Sequence, residues 1–227
     1  MVPVLEISMR SFCFAIMLGV VSFCAACSNV DQAELSAGDA FMAVLGSRVS
    51  SSATPETKPV SIDRAQFANV NAPIWVVTLE ETGDLATIVQ SAQNGPITTF
   101  QGADSVSVSF ANGVVVATRG FGDDLMQSDM RGVVRGLQQG GGRYDKDMSY
   151  LDGQNQLETL RFQCTLVSQA NEKIEILGKS HQTRRFVETC EHTDRQVTNR
   201  YWLENGKVVR SYQWISRNIS PLVFEIL

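Results

Sequence analysis

Beyond Ala72 the chain alternates apolar and polar side chains over short runs, the period of a β-strand with one buried face. Residues 105–110 read Ser-Val-Ser-Val-Ser-Phe, and Asn112-Gly113 then leads into a second apolar run. Asn-Gly between two such runs predicts a hairpin, because both residues tolerate a positive φ. Asp152-Gly153 and Asn205-Gly206 predict two further hairpins in the same way.

The alternating runs amount to about ten short antiparallel strands with one helix among them. The helix is predicted near Ser128–Gln138, with Ser128 or Asp129 as its cap and the glycines at 140–142 as its stop. We therefore predict a mainly β fold, an antiparallel barrel or sandwich that forms a single domain over residues 61–227. The short helix follows the loop that contains Gly120 and Gly122.

The N-terminal segment decides the compartment. Residues 12–26 are uncharged and mostly apolar, but a membrane-spanning helix needs about 20 such residues. A signal peptide over residues 1–26 fits better, with Met1 or Met9 as the start. Cys24-Ala25-Ala26-Cys27 resembles a bacterial lipobox, in which Cys27 receives a diacylglycerol, and Ser28 after it is typical of release to the outer membrane. The alternative is ordinary secretory cleavage after Ala26, with Cys27 left as a free thiol.

Residues 27–60 form the predicted tether. Apolar residues at helical spacing predict one amphipathic helix over Glu34–Arg48, and Ser50–Pro59 has the composition of a linker. The helix could dock on the β domain or serve as a stalk from the membrane, and the sequence leaves both open.

Composition and charge narrow the function. An apolar fraction of 44% excludes a disordered chain, and 19 basic against 24 acidic residues give a net charge of −5. Nucleic-acid binding is not expected, because phosphate contacts call for a basic excess. Beyond the predicted lipid site, only Cys164 and Cys190 remain, and they are either a disulfide or two buried thiols. Neither has a second cysteine at zinc-binding spacing, so no metal site is predicted.

The segment from Arg119 to Asp124 is the densest polar feature. Its glycines permit a sharp turn, and its paired carboxylates, Asp123 and Asp124, could hold a cation or bond sugar hydroxyls. The structural interpretation, in which Arg119 pairs with an aspartate in a tight connection, is favoured over ligand binding.

Sugar binding and catalysis are the remaining questions. Trp75 and other strand aromatics could stack on sugar rings or fill the core. Basic residues are frequent in the last fifty positions, and an acidic polysaccharide could bind if several share one face. With two histidines and no G-x-S-x-G, the sequence contains no nucleophile motif, so we predict no enzyme, catalytic residue or cofactor.

Three segments resemble the YjbF/GfcB family of capsule and exopolysaccharide lipoproteins. They are Pro73-Ile74-Trp75, residues 114–126 and Tyr201-Trp202. The resemblance implies an outer-membrane lipoprotein with a mostly β domain, encoded beside polysaccharide-export machinery. It further implies a non-enzymatic accessory role with export proteins as partners, and it supplies no catalytic residues.

The sequence therefore predicts a lipoprotein held in the outer membrane by acylated Cys27, facing the periplasm and serving polysaccharide export. If it binds glycan itself, the candidate ligand-binding residues are Arg119, Asp123, Asp124 and Trp75. The alternative is a periplasmic lipid or lipoprotein carrier that uses an apolar barrel cavity.

Overall fold

Twelve antiparallel strands form one sheet in the computed structural model, which describes residues 62–103 and 105–227. The strands are β1 (Ile74–Leu79), β2 (Leu85–Asn94), β3 (Ile97–Gln101), β4 (Ser107–Ala111), β5 (Val114–Arg119), β6 (Gln127–Ser128), β7 (Gly141–Leu151), β8 (Leu157–Ile176), β9 (Lys179–His192), β10 (Arg195–Glu204), β11 (Lys207–Gln213) and β12 (Leu222–Ile226). A 3-10 helix (Arg64–Phe67) precedes them, and the helix α1 (Arg131–Gln139) separates β6 from β7.

The sheet curls into a nearly closed barrel with the order β5-β4-β3-β2-β1-β12-β11-β10-β9-β8-β7-β6. β12 lies between β1 and β11, where Ile226 pairs with Trp75 and Leu222 pairs with Gln213. The two ends of the order, β5 and β6, are close in sequence, and the amide of Thr118 donates to the carbonyl of Leu125 across them at 2.9 Å. The predicted mainly β fold is confirmed; of the two predicted forms, barrel or sandwich, the structure has the barrel, with twelve strands where about ten were expected.

Aromatic side chains fill part of the barrel interior. Phe110 stacks on Trp75 with ring centroids 5.6 Å apart and meets Phe224 edge-on at 5.0 Å. Phe100 packs edge-on against both Trp75 and Phe110. All four side chains are buried, so this cluster occupies the space that a carrier would need for an apolar ligand.

The helix α1 packs on the barrel through β7 and β8. Val133 and Leu137 are buried, and Gly136 lies so close to Leu166 that a Cβ there would stand 2.8 Å from the leucine side chain. The helix ends at Gly140, whose φ of 91° gives the left-handed cap predicted from the glycine run. Its start is three residues later than the predicted Ser128, although Asp129 still accepts a hydrogen bond from the amide of Arg131.

The β8–β9 hairpin extends beyond the barrel wall. A bulge between Ser168 and Asn171 redirects it, and its tip places Ile174 and Ile176 against Val209 in a second, small apolar cluster. The sequence predicted a separate strand at Ile174–Leu177, but this segment completes the long strand β8.

All three predicted hairpins are confirmed. Asn112-Gly113 and Asn205-Gly206 form two-residue turns with positive φ at both positions, and residues 152–156 form a longer turn. The β2–β3 hairpin was not predicted. The signal peptide 1–26, the tether 27–60 with Cys27 and the helix Glu34–Arg48 lie outside the described residues and stay predictions. Within the described ranges, no helix is long and apolar enough to span a bilayer.

Candidate functional site

A carboxylate lies in the barrel interior with every one of its acceptor positions in use. Glu188, fully buried on β9, accepts hydrogen bonds from the hydroxyls of Tyr144 at 2.8 Å and Tyr201 at 3.0 Å. Asn199 donates to it at 2.6 Å, and the ammonium of Lys146 lies 3.2 Å from both carboxylate oxygens. Because a carboxylate has about four lone-pair positions, these donors leave none for a substrate.

The surroundings of Glu188 keep it charged. Burial alone raises the pKa of this carboxyl, but the charge of Lys146 and the hydrogen bonds from Asn199 and Tyr144 outweigh burial and hold the pKa below its ordinary value. Burial and the nearby carboxylate also raise the pKa of the Tyr144 and Tyr201 hydroxyls, so both remain donors. Glu188 and Lys146 thus form a buried ion pair, and Tyr144, Tyr201 and Asn199 complete the hydrogen bonding of its carboxylate.

The disulfide is present beside this cluster. Cys164 and Cys190 are directly opposite each other on β8 and β9, and their sulfurs are joined by a bond of 2.05 Å. The two sulfurs and the Glu188 carboxylate lie within 4.8 Å of one another, which is a distance suited to metal ligation. Because each sulfur is already bonded to the other, neither is the thiolate that such a site requires. The disulfide alternative of the sequence analysis is confirmed.

The loop after β5 closes the barrel with its own polar groups. The carboxylate of Asp124 accepts hydrogen bonds from the amides of Gly120 at 2.8 Å and Phe121 at 3.1 Å, and from the Thr118 hydroxyl at 3.1 Å. Arg119 donates to the carbonyls of Thr118 and Leu125. We call residues 118–126 the closing loop, because their bonds join the two ends of the sheet.

The four candidate ligand-binding residues do not form one site. The side chains of Arg119 and Asp124 form their hydrogen bonds within the closing loop. Asp123 accepts one hydrogen bond from Asn218 at 3.1 Å. Trp75 is only 6% exposed and lies in the aromatic core, so its ring has no open face on which a sugar could stack. Ligand binding by these residues stays a prediction, and the structure favours a structural role for the closing loop.

The Asp124→Ala substitution is expected to lower the free energy of unfolding by about 1–3 kcal/mol, because two amides and a hydroxyl lose their acceptor. Urea denaturation measures the change. The adjacent Asp123→Ala is the matched control, since it removes a single side-chain hydrogen bond, and its loss should stay below about 0.5 kcal/mol. Equal losses in the two variants would contradict the assigned role of Asp124.

The two histidines are paired with carboxylates and form no catalytic relay. His181 contacts Glu204 at 2.9 Å, and His192 contacts Asp194 at 2.6 Å. The hydroxyl of Thr193 approaches His192 at 3.3 Å, but on the same Nδ1 that faces Asp194. A relay needs the nucleophile and the carboxylate on different ring nitrogens, so this geometry cannot activate the hydroxyl.

Four of the eight basic residues in the last fifty positions are paired with carboxylates. Arg185, Arg195, Arg210 and Arg217 each form an ion pair with a carboxylate. The expected basic face for an acidic polysaccharide therefore does not arise from these four side chains.

An open cleft of about 900 Å³ crosses the outward face of β7, β8 and β9. Its lining consists of Arg143, Tyr144, Asp145, Gln163, Cys164, Thr165, Val167, Gln169, Val187, Thr189 and Glu191. The sequence analysis did not select this cleft, although the polar members of β8 and β9 occupy alternate positions of two predicted strands. That alternation identifies an outward face but not its curvature.

Comparison with known proteins gives a family and a fold. A family model described as group 4 capsule polysaccharide lipoprotein GfcB, YjbF matches residues 38–227. The crystal structure of the hypothetical lipoprotein YmcC from Escherichia coli matches with a TM-score of 0.67 and 17% identity, over 88% of this chain and 97% of that one. A Bacteroides fragilis structure with a YmcC-like fold matches with a TM-score of 0.31 and 9% identity, over 68% of this chain and 92% of that one. A search of curated proteins found no match.

Proposed function

Because the chain belongs to the YjbF family of group 4 capsule polysaccharide lipoproteins, we propose that it is a non-enzymatic accessory factor in the export or assembly of a surface polysaccharide. The observation that carries the proposal is the family match, which extends over residues 38–227 and so includes the whole described barrel. The protein's partners would be the export proteins of the same pathway.

The geometry of the described residues supports a role without catalysis. Glu188 is sealed in the core by five hydrogen bonds, and each histidine is held by a carboxylate. A general acid or base must reach the proton that it transfers. Neither Glu188 nor His181 has the exposure to do so, because both side chains are buried.

The proposed anchor is an acylated Cys27 in the outer membrane, with the barrel in the periplasm. The sequence supports this through the lipobox-like residues 24–27 and through Ser28, and the disulfide is consistent with an oxidising compartment. The tether of residues 27–60 would then set how far the barrel reaches from the membrane.

The lipid-carrier alternative gains no support from the barrel interior. A carrier needs an apolar cavity that can hold an acyl chain. Here Trp75, Phe100, Phe110 and Phe224 pack against one another in that space.

The test is the amount of surface polysaccharide in a strain that lacks this protein. We expect loss in the deletion strain, recovery with the wild-type gene and no recovery with Cys27→Ser, because that variant cannot be acylated. Immunoblotting of membrane and soluble fractions verifies that the variant accumulates but leaves the membrane. Unchanged polysaccharide in the deletion strain would refute the proposed function, whereas rescue by Cys27→Ser would refute only the need for the anchor.

A further inference from the structure

The cleft on β7, β8 and β9 holds polar side chains that have no side-chain partner among residues 62–103 and 105–227. Among the described residues, Arg143, Asp145, Gln163, Thr165 and Thr189 make no side-chain hydrogen bond and no salt bridge. The next outward position on β7 is different, because Asp147 forms a two-pronged pair with Arg161 of β8 at 2.8 and 3.1 Å. Within the part of the chain that the structure describes, donors and acceptors are thus left free where the surface is concave.

These side chains form rows across the strands. Arg143 pairs with Thr165, which pairs with Thr189, which in turn pairs with Thr198 of β10. A parallel row contains Asp145, Gln163, Glu191 and Gln196. Neighbouring strands lie about 4.8 Å apart, so each row presents hydroxyl, amide or charged groups at a regular spacing across the sheet.

A third row supplies apolar contact. Val167 and Val187 are cross-strand partners in the cleft, and Val167 is 48% exposed. Val187 pairs with Arg200 of β10, whose guanidinium lies 4.6 Å from the ring centre of Tyr212. The cleft therefore has an apolar floor that continues toward a stacked arginine and tyrosine.

We propose that this cleft binds a stretch of polysaccharide chain. A sugar ring offers hydroxyls at its edge and C–H groups on its faces, and the rows of free polar groups beside the two valines complement both. The inference rests on the proposed function, because the family's association with capsule polysaccharide selects a glycan from among polar ligands.

Two further features define the ligand. β8 and β9 are paired on both sides along the cleft, so neither can add a peptide strand, and recognition by these two strands uses their side chains. Arg143 contributes one positive charge against the two negative charges of Asp145 and Glu191. The cleft thus suits a neutral or weakly charged stretch of chain rather than a strongly acidic one.

The test is a binding titration with the full-length acylated protein in detergent micelles. The probe is surface polysaccharide extracted from the strain that encodes this chain, fractionated by size. Thr189→Arg places a long side chain in the middle of the cleft and is expected to weaken binding by at least about tenfold, a change of about 1.4 kcal/mol. Binding of the wild type should change less than about twofold between about 0.05 and 0.5 M salt, because counter-charges contribute little.

Thr99→Arg is the matched control. Thr99 is a half-buried threonine on the outward face of β3, where its hydroxyl meets that of Ser109 at 2.9 Å, and it lies outside the cleft. This variant should bind within about twofold of the wild type, and circular dichroism verifies that both variants fold. A second pair of variants removes contacts without adding bulk. Gln163→Ala shortens an exposed glutamine in the cleft, and Gln101→Ala shortens an exposed glutamine on β3 as its control.

No binding by the wild type, or equal binding by the wild type and Thr189→Arg, would overturn the cleft assignment. Equal weakening in Thr189→Arg and Thr99→Arg would also overturn it. These outcomes are separable from the proposed function. If the deletion strain loses polysaccharide but the cleft does not bind it, this inference alone is refuted. If the cleft binds polysaccharide but the deletion strain makes a normal amount, the accessory role alone is refuted.

Discussion

Replacing Lys146 with methionine is expected to lower the free energy of unfolding by about 3–5 kcal/mol, the largest effect of any substitution considered. The methionine fills similar space but removes the one cation that, among the described residues, contacts the buried Glu188 carboxylate. Breaking a buried pair by deleting one partner leaves an uncompensated charge in the core, which is costly. Guanidinium chloride denaturation, read by tryptophan fluorescence, measures the loss.

Arg161→Met is the matched control on the neighbouring strand. It also removes the cation of an ion pair, but the Arg161 side chain is 72% exposed, so the loss should stay below about 1 kcal/mol. The double variant Lys146→Met/Glu188→Gln should recover part of the stability that Lys146→Met loses, because the remaining side chain carries no charge. If Lys146→Met were no more destabilising than Arg161→Met, the assigned importance of the buried pair would be wrong.

The effect depends on pH in a defined direction. In the wild type the pKa of Glu188 is lower in the folded than in the unfolded state, so its contribution to stability is present above the unfolded pKa of about 4.3 and declines as the pH falls through the folded value. Without Lys146, burial is opposed only by hydrogen bonds, and the pKa of Glu188 rises. The stability gap between wild type and Lys146→Met should therefore narrow as the pH falls from 7 toward about 4.

Removal of the disulfide is expected to have the second-largest effect. The bond closes the β8–β9 hairpin between residues 26 positions apart, and the chain-entropy model assigns such a loop about 3.5 kcal/mol. We expect Cys164→Ala/Cys190→Ala to lose about 2–4 kcal/mol, because the alanines also forgo part of the packing of two buried sulfurs.

Thr165→Ala/Thr189→Ala provides the control for the disulfide variant. These threonines are the next cross-strand pair toward the bulge, they face outward and no covalent bond joins them. Their loss should be about 1 kcal/mol or less. Equal stability of the wild type and the double cysteine variant under oxidising conditions would contradict the prediction, and adding reductant to the unfolded wild type should reproduce the variant's value.

The sequence predicted the strands that carry a strong local signal. Asn112-Gly113 and Asn205-Gly206 encode turns that local backbone preference alone specifies, so both hairpins were found. The β2–β3 hairpin was missed although β3 is rich in β-branched residues, because the second half of β2, residues 90–94 (Gln-Ser-Ala-Gln-Asn), lacks the residues of a typical strand. β2 is stabilised by pairing with β1 on one side and β3 on the other. The residues of β2 alone do not show that pairing.

The cluster around Glu188 could not be predicted from the sequence, for a different reason. Tyr144, Lys146, Glu188 and Asn199 lie on three strands, and only the register brings them together. One signal was available, since Glu188 stands between Phe186 and Cys190 at alternate positions and therefore shares the inward face of its strand. A charged residue at an inward position predicts a buried partner of opposite charge.

The closing loop explains why residues 118–126 carried the family resemblance. Thr118, Arg119 and Asp124 each bond to backbone groups at defined positions, and a left-handed φ of 88° at Gly120 lets the chain turn there. Substitution of Thr118, Arg119 or Asp124 would remove hydrogen bonds that secure the junction of the sheet. The sequence specificity of the closing loop is thus accounted for by architecture, whereas the candidate binding surface lies on strands with a less distinctive pattern.

The position of β12 has a consequence for how the molecule reaches its native state. Trp75 of β1 pairs with Ile226 of β12, about 150 residues later in the sequence. The strand that joins the two halves of the sheet, β12, is therefore the last of the described strands in chain order. Until it arrives, β1 and β11 are both open edges that can recruit strands of other molecules. Pairing over such a separation carries a large loop-closure cost, which makes for slow folding. We therefore expect slow refolding with losses to aggregation that grow with protein concentration, because both edges stay open until β12 pairs.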